Sequence, residues 1–191
     1  MKIVFATNNP NKLSELQALV PQEIEILSLK EIKCYEELPE TNSTLEGNAL
    51  QKAQYVYQNY GFNCFADDTG LEIEALGGAP GVYSARYAGD DCNAKENMKK
   101  VLKKLENKDN RNAKFRTVIA LIINGKENLF EGECIGKITK TKSGLKGFGY
   151  DPIFTPERHE ITFAEMSKQE KGAISHRGKA VEKLVNYLSI D

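Results

Sequence analysis

The feature that most constrains the fold is a continuous run of apolar and β-branched residues, Thr117–Ile123, which ends directly at Asn124-Gly125. β-branched side chains favour strands, and Asn-Gly between two apolar segments is a strong signal for a tight hairpin. The pattern therefore predicts a buried strand that turns back into a second strand over Leu129–Ile138. A hairpin of this kind requires a sheet with at least one antiparallel pair.

The N-terminal segment predicts a strand, a polar loop and a helix in succession. The apolar run Ile3–Ala6 is followed by the polar segment Thr7–Lys12, after which leucine and valine recur at helical spacing. Asn9 suits an N-cap and Pro10 suits the first helical position, because a proline there leaves no N–H unsatisfied. A second strand is predicted at Glu23–Leu27.

The other elements complete an α/β pattern without a regular βαβ repeat. Ser43–Glu46 has the spacing of a capping box at the start of a long helix. Strands are predicted on either side of an acidic turn, at Phe62–Ala66 and Leu71–Leu76. Further helices are predicted where apolar residues recur at helical spacing, at 98–105 and 180–188. We therefore predict a single α/β domain over residues 1–191, with a mixed, partly antiparallel β-sheet flanked by helices.

The composition argues against several classes of partner. The formal net charge is −1, which gives no general reason to expect binding to nucleic acid or to a membrane surface. A helix that spans a bilayer needs about 20 apolar residues, and no apolar run in this chain approaches that length. The N-terminus lacks the cleavage site of a signal peptide. The four cysteines are widely separated and form no Cys/His ligand pattern. We therefore predict reduced thiols in a cytoplasmic protein, without a structural zinc site.

The segment Thr7–Lys12, with the sequence TNNPNK, is a candidate phosphate-binding loop. A strand that opens into a polar loop and a helix presents backbone N–H groups at the positive end of the helix dipole, which favours phosphate. Lys12 in the first helical turn opposes that dipole, so its position indicates a bound anion or a carboxylate partner. The spacing is not that of a Walker A loop. A simple capped turn is the alternative.

Three carboxylates and a lysine form a candidate metal site. Glu40 precedes the long helix, and Asp67 and Asp68 follow an apolar run. Mg²⁺ prefers carboxylate oxygens, usually with waters and substrate phosphates completing its octahedral shell. Lys52 falls at the edge of the apolar stripe of its helix and can lean toward the same site. The alternatives are a turn or cap for the two aspartates and a solvent-directed side chain for Lys52.

The segment GFGYDP, residues 147–152, is a candidate nucleobase site. Two glycines flank Phe148, and Asp151 follows within reach. An aromatic face beside a carboxylate can stack a base and accept a hydrogen bond from its edge. A glycine-rich turn that packs its aromatic side chains into the core is the alternative.

The segment KGAISHRG, residues 171–178, places three cations around the start of the last helix, for which Ser175 suits the N-cap. Positive charge at a helix N-terminus opposes the dipole, so the pattern indicates an electron-rich ligand. A carboxylate partner at the surface is the alternative. The three cations are Lys171, His176 and Arg177, whereas His159 is predicted at the surface.

Five motifs occur in a fixed order along nearly the whole chain: ATNNPNK, PET with NALQKA, ADDTGLEIEALGGAPGVYSARYAG, GFGYDPIF and EKGAISHRGKA. In this order they resemble the inosine triphosphate pyrophosphatase family, the non-canonical purine NTP pyrophosphatases. The resemblance implies hydrolysis of ITP, dITP and XTP between the α and β phosphates to the monophosphate and pyrophosphate. It also implies a Mg²⁺ requirement, a homodimer, and an elongated α/β fold with two lobes and a central active-site cleft.

The resemblance further implies roles for individual residues. Asp68 matches the proton acceptor for the attacking water. The implied metal ligands are Glu40, Asp68 and, as the adjacent acid, Asp67. The implied substrate-binding residues are Thr7, Asn8, Asn9, Pro10, Asn11, Lys12, Lys52, Thr69, Phe148, Gly149, Tyr150, Asp151, Lys171, His176 and Arg177.

Two positions depart from the family pattern. Many members carry Glu where this chain has Gly47, and Gly where it has Asn42, so position 47 receives no metal role. No cysteine has a histidine partner in the matched motifs, so we predict direct attack of water at the α-phosphorus without a covalent intermediate. Two alternatives stay open: a Maf-like nucleotide pyrophosphatase of different base preference, and a nucleotide-binding sensor without turnover.

Overall fold

The hairpin predicted at Asn124-Gly125 is present in the computed structural model, which describes residues 1–189. Strand β5 (Asn112–Ile123) and strand β6 (Lys126–Ile138) are joined by these two residues alone. Asn124 and Gly125 both have positive φ, 50° and 76°, as a tight hairpin turn requires. Both strands extend beyond the predicted apolar runs into polar sequence, where backbone pairing does not depend on apolar side chains.

The remaining strands and helices of the described chain follow the predicted α/β pattern. The strands are β1 (Lys2–Phe5), β2 (Glu25–Leu27), β3 (Cys64–Ile73), β4 (Pro80–Gly81) and β7 (Phe154–Pro156). The helices are α1 (Pro10–Gln17), α2 (Leu45–Tyr60), α3 (Ala94–Lys104), α4 (Lys168–Ile174) and α5 (His176–Leu188). Single 3-10 turns occur at Glu74–Leu76, Ser84–Arg86 and Asp151–Ile153. None of these helices over residues 1–189 is long and apolar enough to cross a membrane.

The described chain divides into two compact units. The first comprises residues 1–68, 117–132 and the described residues from 177 onward, and the second comprises 69–116 and 133–176. Strands β3, β5 and β6 contribute residues to both units.

In the first unit, β1 lies between β2 and β3 and runs parallel to both. Alternate residues of a strand face opposite sides of the sheet. Phe5 and Phe65 stack on one side, with ring centroids 4.7 Å apart, and belong to an apolar cluster with residues of α1 and α5. The thiol of Cys64 lies on the other side, 3.2 Å from the carbonyl oxygen of Ala53 in α2. Helices α1 and α5 therefore cover one face, and α2 covers the other.

In the second unit, β4 is antiparallel to β3, and β7 is antiparallel to β6. The core is aromatic: Phe115 packs edge-on against Phe154 with ring centroids 4.7 Å apart, and Phe163 lies beside both. Helix α3 contributes Met98 and Val101 to the same core. Parallel and antiparallel pairs in one sheet with flanking helices confirm the predicted α/β fold class. The elongated shape and the central cleft stay predictions.

Asp67 and Asp68 lie within a strand, so the acidic turn predicted between two strands is wrong. Strand β3 runs without interruption from Cys64 to Ile73. Two aspartates with a glycine two residues further on, at Gly70, are typical of turns, but here other side chains satisfy both carboxylates and the strand continues. Gly70 also suits the strand, because a Cβ at this position would lie 2.8 Å from the carbonyl oxygen of Gly81.

Two helix boundaries differ in detail from their predictions. Thr44, rather than Ser43, caps α2, and its hydroxyl accepts a hydrogen bond from the N–H of Gly47 at 3.0 Å. Because Gly47 has no side chain, it cannot return the second bond of a capping box. Ser175 precedes α5 as predicted, but it also ends α4, a short helix that the sequence did not predict and that starts at its own capping box at Ser167.

Replacing Tyr60 with Phe is expected to raise the pKa of Glu36 toward its ordinary value. The Tyr60 hydroxyl donates to this carboxylate and, with a weaker contribution from Tyr55, lowers the Glu36 pKa to about 2. Because the folded-state pKa is depressed, Glu36 contributes stability above its ordinary pKa of 4.5 that is lost as the pH falls toward 2. Urea denaturation of Tyr60→Phe should therefore show less loss of unfolding free energy between pH 5 and pH 3. Tyr55→Phe should change this dependence less, and an unaltered dependence in Tyr60→Phe would contradict the assignment.

Candidate active site

The start of α1 has the predicted form. Asn9 is the N-cap, and its side-chain oxygen accepts from the backbone N–H groups of Asn11 and Lys12 at 2.9 and 3.4 Å. The hydroxyl of Thr7 in turn accepts from the N–H of Asn9 at 3.1 Å. Pro10 occupies the first helical turn. The segment is thus a preorganised turn at the positive end of a helix dipole.

Asn8 links this turn to the segment that leads to Glu40. Its Nδ2 donates to the carbonyl oxygen of Glu36 at 3.2 Å, and its Oδ1 accepts from the N–H of Leu38 at 3.1 Å. Both ends of the Asn8 carboxamide therefore bond to backbone groups of the segment before Glu40, and these bonds connect that segment to the Thr7–Lys12 loop. A direct contact between Asn8 and a substrate stays a prediction.

Asp67 is held between two cations of the first unit. Lys12 Nζ lies 3.0 Å from its Oδ1, and Nε and Nη2 of Arg177 each lie 3.2 Å from its Oδ2. Asp67 and Arg177 are 1 % and 2 % exposed. Burial alone raises the pKa of Asp67, but the charges of Lys12 and Arg177 outweigh burial and hold that pKa well below its usual range. Asp67 is the carboxylate partner that the position of Lys12 indicated.

Arg177 has a second carboxylate partner that the sequence did not predict. Its Nη1 lies 2.5 Å from Oε2 of Glu15. Burial alone lowers the pKa of Arg177, but Asp67 and Glu15 together raise it above its ordinary value. The spacing of Glu15 three residues after Lys12 places both on one face of α1, which is the signal that could have identified it.

Asp68 faces α2, on the side of β3 opposite to Asp67, as strand alternation requires. Its Oδ2 accepts a hydrogen bond from Nδ2 of Asn48 at 3.1 Å. Burial raises the pKa of Asp68 above its ordinary value. The positive charges of Lys52 and Lys12 act against this rise, and the negative charge of Glu40 adds to it. A carboxyl group with a raised pKa is suited to accept a proton from water.

Lys52 is buried at the sheet rather than directed to solvent. Its Nζ donates to the backbone carbonyl oxygen of Asp67 at 2.8 Å and forms an ion pair with Glu40. Only 5 % of Lys52 is exposed, which excludes the solvent-directed alternative. The lysine therefore holds Glu40 close to α2 and β3.

Glu40 and Asp68 fit a divalent cation that binds together with substrate phosphates. Glu40 lies close enough to Asp68 for its negative charge to add to the rise in the pKa of Asp68. Over residues 1–189, no group of three or more His, Cys, Asp or Glu side chains could enclose a metal ion. Mg²⁺ usually binds through one or two carboxylates and completes its shell with waters and phosphates. Two acidic side chains without a complete protein cage match that mode.

A second cluster lies within the second unit, around Phe148. Asp151 Oδ2 accepts from Lys171 Nζ at 2.6 Å and from the N–H of Phe148 at 2.9 Å. Lys171 Nζ lies 5.0 Å from the centre of the Phe148 ring, within cation–π range. Gly147 permits this turn, because its φ is +72° and a Cβ there would collide with the Asp151 carboxylate. An aromatic face, a cation and a carboxylate thus lie next to one another in this cluster.

His176 and Tyr150 lie in the interior of the second unit. The His176 ring stacks on Phe115, with centroids 4.6 Å apart and planes inclined by 17°. The Tyr150 hydroxyl donates to the carbonyl oxygen of Ser84 at 2.7 Å. Both residues are therefore core side chains, and their contact with substrate stays a prediction. His159 is exposed, as the sequence predicted, and its Nδ1 lies 2.9 Å from the carbonyl oxygen of Glu157.

The structure gathers most predicted site residues into two clusters, one in each unit. The first contains Lys12, Glu40, Lys52, Asp67, Asp68 and Arg177, and the second contains Phe148, Asp151 and Lys171. Thr69 follows Asp68 in β3 and belongs to the second unit. Asn48, which donates a hydrogen bond to Asp68, was missed. Asn48 lies four residues before Lys52, a spacing that places both on one face of α2.

A mixed sheet, a capped helix start with a half-buried lysine, and neighbouring carboxylates fit an α/β enzyme that acts on phosphates. The model of the Ham1 family matches residues 3–187, and the chain belongs to that family.

Relatives of known sequence and structure match this chain over almost its whole length. It is 57 % identical over 189 residues to a dITP/XTP pyrophosphatase of Flavobacterium johnsoniae, covering 99 % of this chain and 98 % of the relative. It is 52 % identical over 188 residues to a dITP/XTP pyrophosphatase of Porphyromonas gingivalis, covering 98 % and 97 %. The solved structure of a HAM1 protein from Coxiella burnetii is 41 % identical, with a TM-score of 0.91 and full coverage of both chains. The Staphylococcus aureus Ham1 protein is 38 % identical, with a TM-score of 0.89 and coverage of 99 % and 98 %.

Proposed function

We propose that this Ham1-family protein is a nucleoside triphosphate pyrophosphatase that removes ITP, dITP and XTP from the nucleotide pool. The observation that carries the proposal is that Asp68 of β3, Lys52 of α2 and Glu40 of the loop before α2 lie together, with Lys12 close to the same aspartates. Such a set can bind phosphates, hold a divalent cation and accept a proton. The relatives named dITP/XTP pyrophosphatase support the substrate class.

The reaction is direct attack of water at the α-phosphorus. A new bond forms between the water oxygen and phosphorus, and the bond from phosphorus to the bridging oxygen breaks, so that pyrophosphate leaves with that oxygen. Asp68 accepts the proton of the attacking water, as a carboxylate beside the phosphate-binding lysines can. Lys12 and Lys52 bind the phosphates and stabilise the charge that develops on the leaving group. The products are the nucleoside monophosphate and pyrophosphate.

Glu40 and Asp68 are the residues that would hold Mg²⁺. When bound, the ion neutralises phosphate charge and lowers the pKa of water. We assign Asp67 a different role, that of a counter-ion that positions Lys12 and Arg177. Both of its carboxylate oxygens already accept from these cations, and it is 1 % exposed.

Base recognition is assigned to the cluster around Phe148. The ring offers a stacking face, and Lys171 offers a donor that is 5 % exposed. Hypoxanthine and xanthine present an acceptor at O6 to this cation, whereas adenine presents an N6 donor there, which the positive charge disfavours. The cluster therefore favours 6-oxopurines over adenine.

Replacing Gly147 with Ala is expected to raise KM for ITP more than replacing Gly149 with Ala. Both residues have positive φ, +72° and +61°, so both alanines carry a similar backbone strain. Only at position 147 would the added Cβ collide with Asp151, whereas nothing lies within 4 Å at position 149. Steady-state kinetics with ITP measures the difference. Equal values of KM in the two variants would show that the contact between Gly147 and Asp151 does not shape the base site.

A substrate panel with Mg²⁺ tests the reaction. We expect ITP, XTP and dITP to release pyrophosphate much faster than GTP, ATP or dUTP, with no orthophosphate as first product. In water labelled with ¹⁸O, the label should appear in the monophosphate, because attack occurs at the α-phosphorus. Orthophosphate as first product, or label in pyrophosphate, would overturn the assigned reaction. Fastest turnover of dUTP or another base would indicate a Maf-like preference, and binding without turnover would indicate a sensor.

The proposal also includes a homodimer in the cytoplasm that binds neither nucleic acid nor membranes. The family resemblance supports the dimer, and the net charge of −1 argues against polyanion binding. Sedimentation equilibrium should give twice the chain mass of 21.3 kDa. A mass equal to that of the single chain would contradict the dimer.

A further inference from the structure

Asn48 of α2 makes two hydrogen bonds that join the elements carrying the two candidate metal ligands. Its Oδ1 accepts from the backbone N–H of Asn42 at 2.8 Å, and its Nδ2 donates to Asp68 Oδ2 at 3.1 Å. Asn42 lies two residues after Glu40 in the same loop. Asn48 is 1 % exposed and Asp68 is 7 % exposed, so the bond between them is shielded from water.

Only a carboxamide of this length satisfies both partners. The backbone N–H of Asn42 requires an acceptor, and the Asp68 carboxylate requires a donor, so the two partners also determine which way the amide points. An aspartate at position 48 would place a second negative charge against Asp68. A leucine would have nearly the same shape but would leave the N–H of Asn42 and the buried carboxylate of Asp68 without this partner.

Gln51, one turn further along α2, provides a matched comparison. Its Oε1 accepts from the N–H of Thr41 at 2.9 Å, and its Nε2 donates to the Thr41 hydroxyl at 2.9 Å. Gln51 therefore anchors the loop that carries Glu40, as Asn48 does. The hydrogen bonds of Gln51 reach the loop and not Asp68, whereas those of Asn48 reach both.

We propose that Asn48 is a positioning residue that fixes the position of the Glu40 loop relative to the Asp68 carboxylate. Both carboxylates can then bind one divalent cation, and Asp68 keeps its catalytic orientation. The inference rests on the proposed function for the identity of the reaction. Its cation-binding part does not depend on any nucleotide. Residues that orient metal ligands commonly change metal affinity or activity by about 10–100-fold when replaced.

The test compares Asn48→Leu with Gln51→Leu in two measurements. Binding of Mn²⁺ alone, followed by its EPR signal, should weaken by about tenfold or more in Asn48→Leu and by a smaller factor in Gln51→Leu. At saturating Mg²⁺, kcat for ITP should recover in Gln51→Leu but stay low in Asn48→Leu, because only Asn48 orients Asp68. KM for ITP should change little in both, since the hydrogen bonds of Asn48 and Gln51 reach the Glu40 loop and Asp68 rather than Lys12 or its loop. Asn48→Ser is measured in parallel, so that the test does not depend on leucine being accommodated.

Three results would overturn the inference: wild-type Mn²⁺ affinity in the Asn48 variants, equal behaviour of the Asn48 and Gln51 variants in both measurements, or no Mn²⁺ binding by the wild-type protein. A failure of the substrate panel would instead overturn the reaction and leave the Mn²⁺ comparison intact, because that titration contains no nucleotide.

Discussion

An Asp68→Asn variant is expected to lose about a thousandfold in kcat for ITP while staying folded. Asparagine has nearly the shape of aspartate, and its side-chain oxygen can still accept from Asn48, so the local packing is retained. The variant can neither accept a proton from water nor contribute negative charge to a cation site with Glu40. Pyrophosphate release at saturating ITP and Mg²⁺ measures the loss.

The same substitution should leave stability unchanged or raise it. Because burial holds the pKa of Asp68 above its ordinary value, its ionised form destabilises the folded protein at neutral pH, and removing that charge removes the cost. Thermal unfolding at neutral pH should therefore give a Tm no lower than wild type. Asp109→Asn, which removes one exposed carboxylate elsewhere, is the matched control and should keep full activity. Near-wild-type turnover by Asp68→Asn would refute its role as proton acceptor.

Replacing the neighbouring Asp67 with Asn is expected, unlike Asp68→Asn, to lower the stability of the folded protein. It leaves the buried Arg177 and the half-buried Lys12 with one carboxylate fewer, and breaking the buried pair of Asp67 and Arg177 in this way costs about 3–5 kcal/mol. Urea denaturation at neutral pH measures the loss. Glu15→Gln, which removes a carboxylate partner of Arg177 and leaves Asp67 in place, should cost less, and Asp109→Asn should cost little. KM for ITP should also rise in Asp67→Asn, because Lys12 loses the partner that positions it.

The pH dependence gives a second measurement on Asp67. Its pKa in the folded protein lies below the ordinary value of 3.8, so its contribution to stability is present above that pH and is lost as the pH falls through the depressed pKa. Wild type should therefore lose stability in acid more steeply than Asp67→Asn. A variant with unchanged stability but weakened Mn²⁺ binding would contradict the counter-ion role and make Asp67 a metal ligand.

The local structure around the two adjacent aspartates could not be predicted from the sequence. An acidic pair before glycine is typical of a turn, and the pattern contains nothing that distinguishes a turn from a strand with buried carboxylates. The strand forms because Lys12 and Arg177, distant in sequence, satisfy Asp67 on one face, while Asn48 satisfies Asp68 on the other. Strand alternation then gives the two acids different neighbours and opposite shifts in pKa.

Helix α4 was missed for a different reason. Its sequence, KQEKGAI, has too few apolar residues to show a helical period, so periodicity predicted no helix there. Ser167 and Glu170 nevertheless have the spacing of a capping box, and the structure forms both of its hydrogen bonds. This local signal was available in the sequence. It would have placed Lys171 on a helix rather than in the approach to the last one.

The sequence by itself determined the features that depend on neighbouring residues. These are the hairpin turn at Asn124-Gly125, the cap of α1 at Asn9, the apolar strands and the fold class, because each follows from local hydrogen bonding or from the period of apolar side chains. Only the tertiary structure decided which cation pairs with which carboxylate. Asp67 and Arg177 are 110 positions apart, and Coulomb energy and burial depend on distance in space rather than along the chain. The division of labour between Asp67 and Asp68 is therefore a property of the fold.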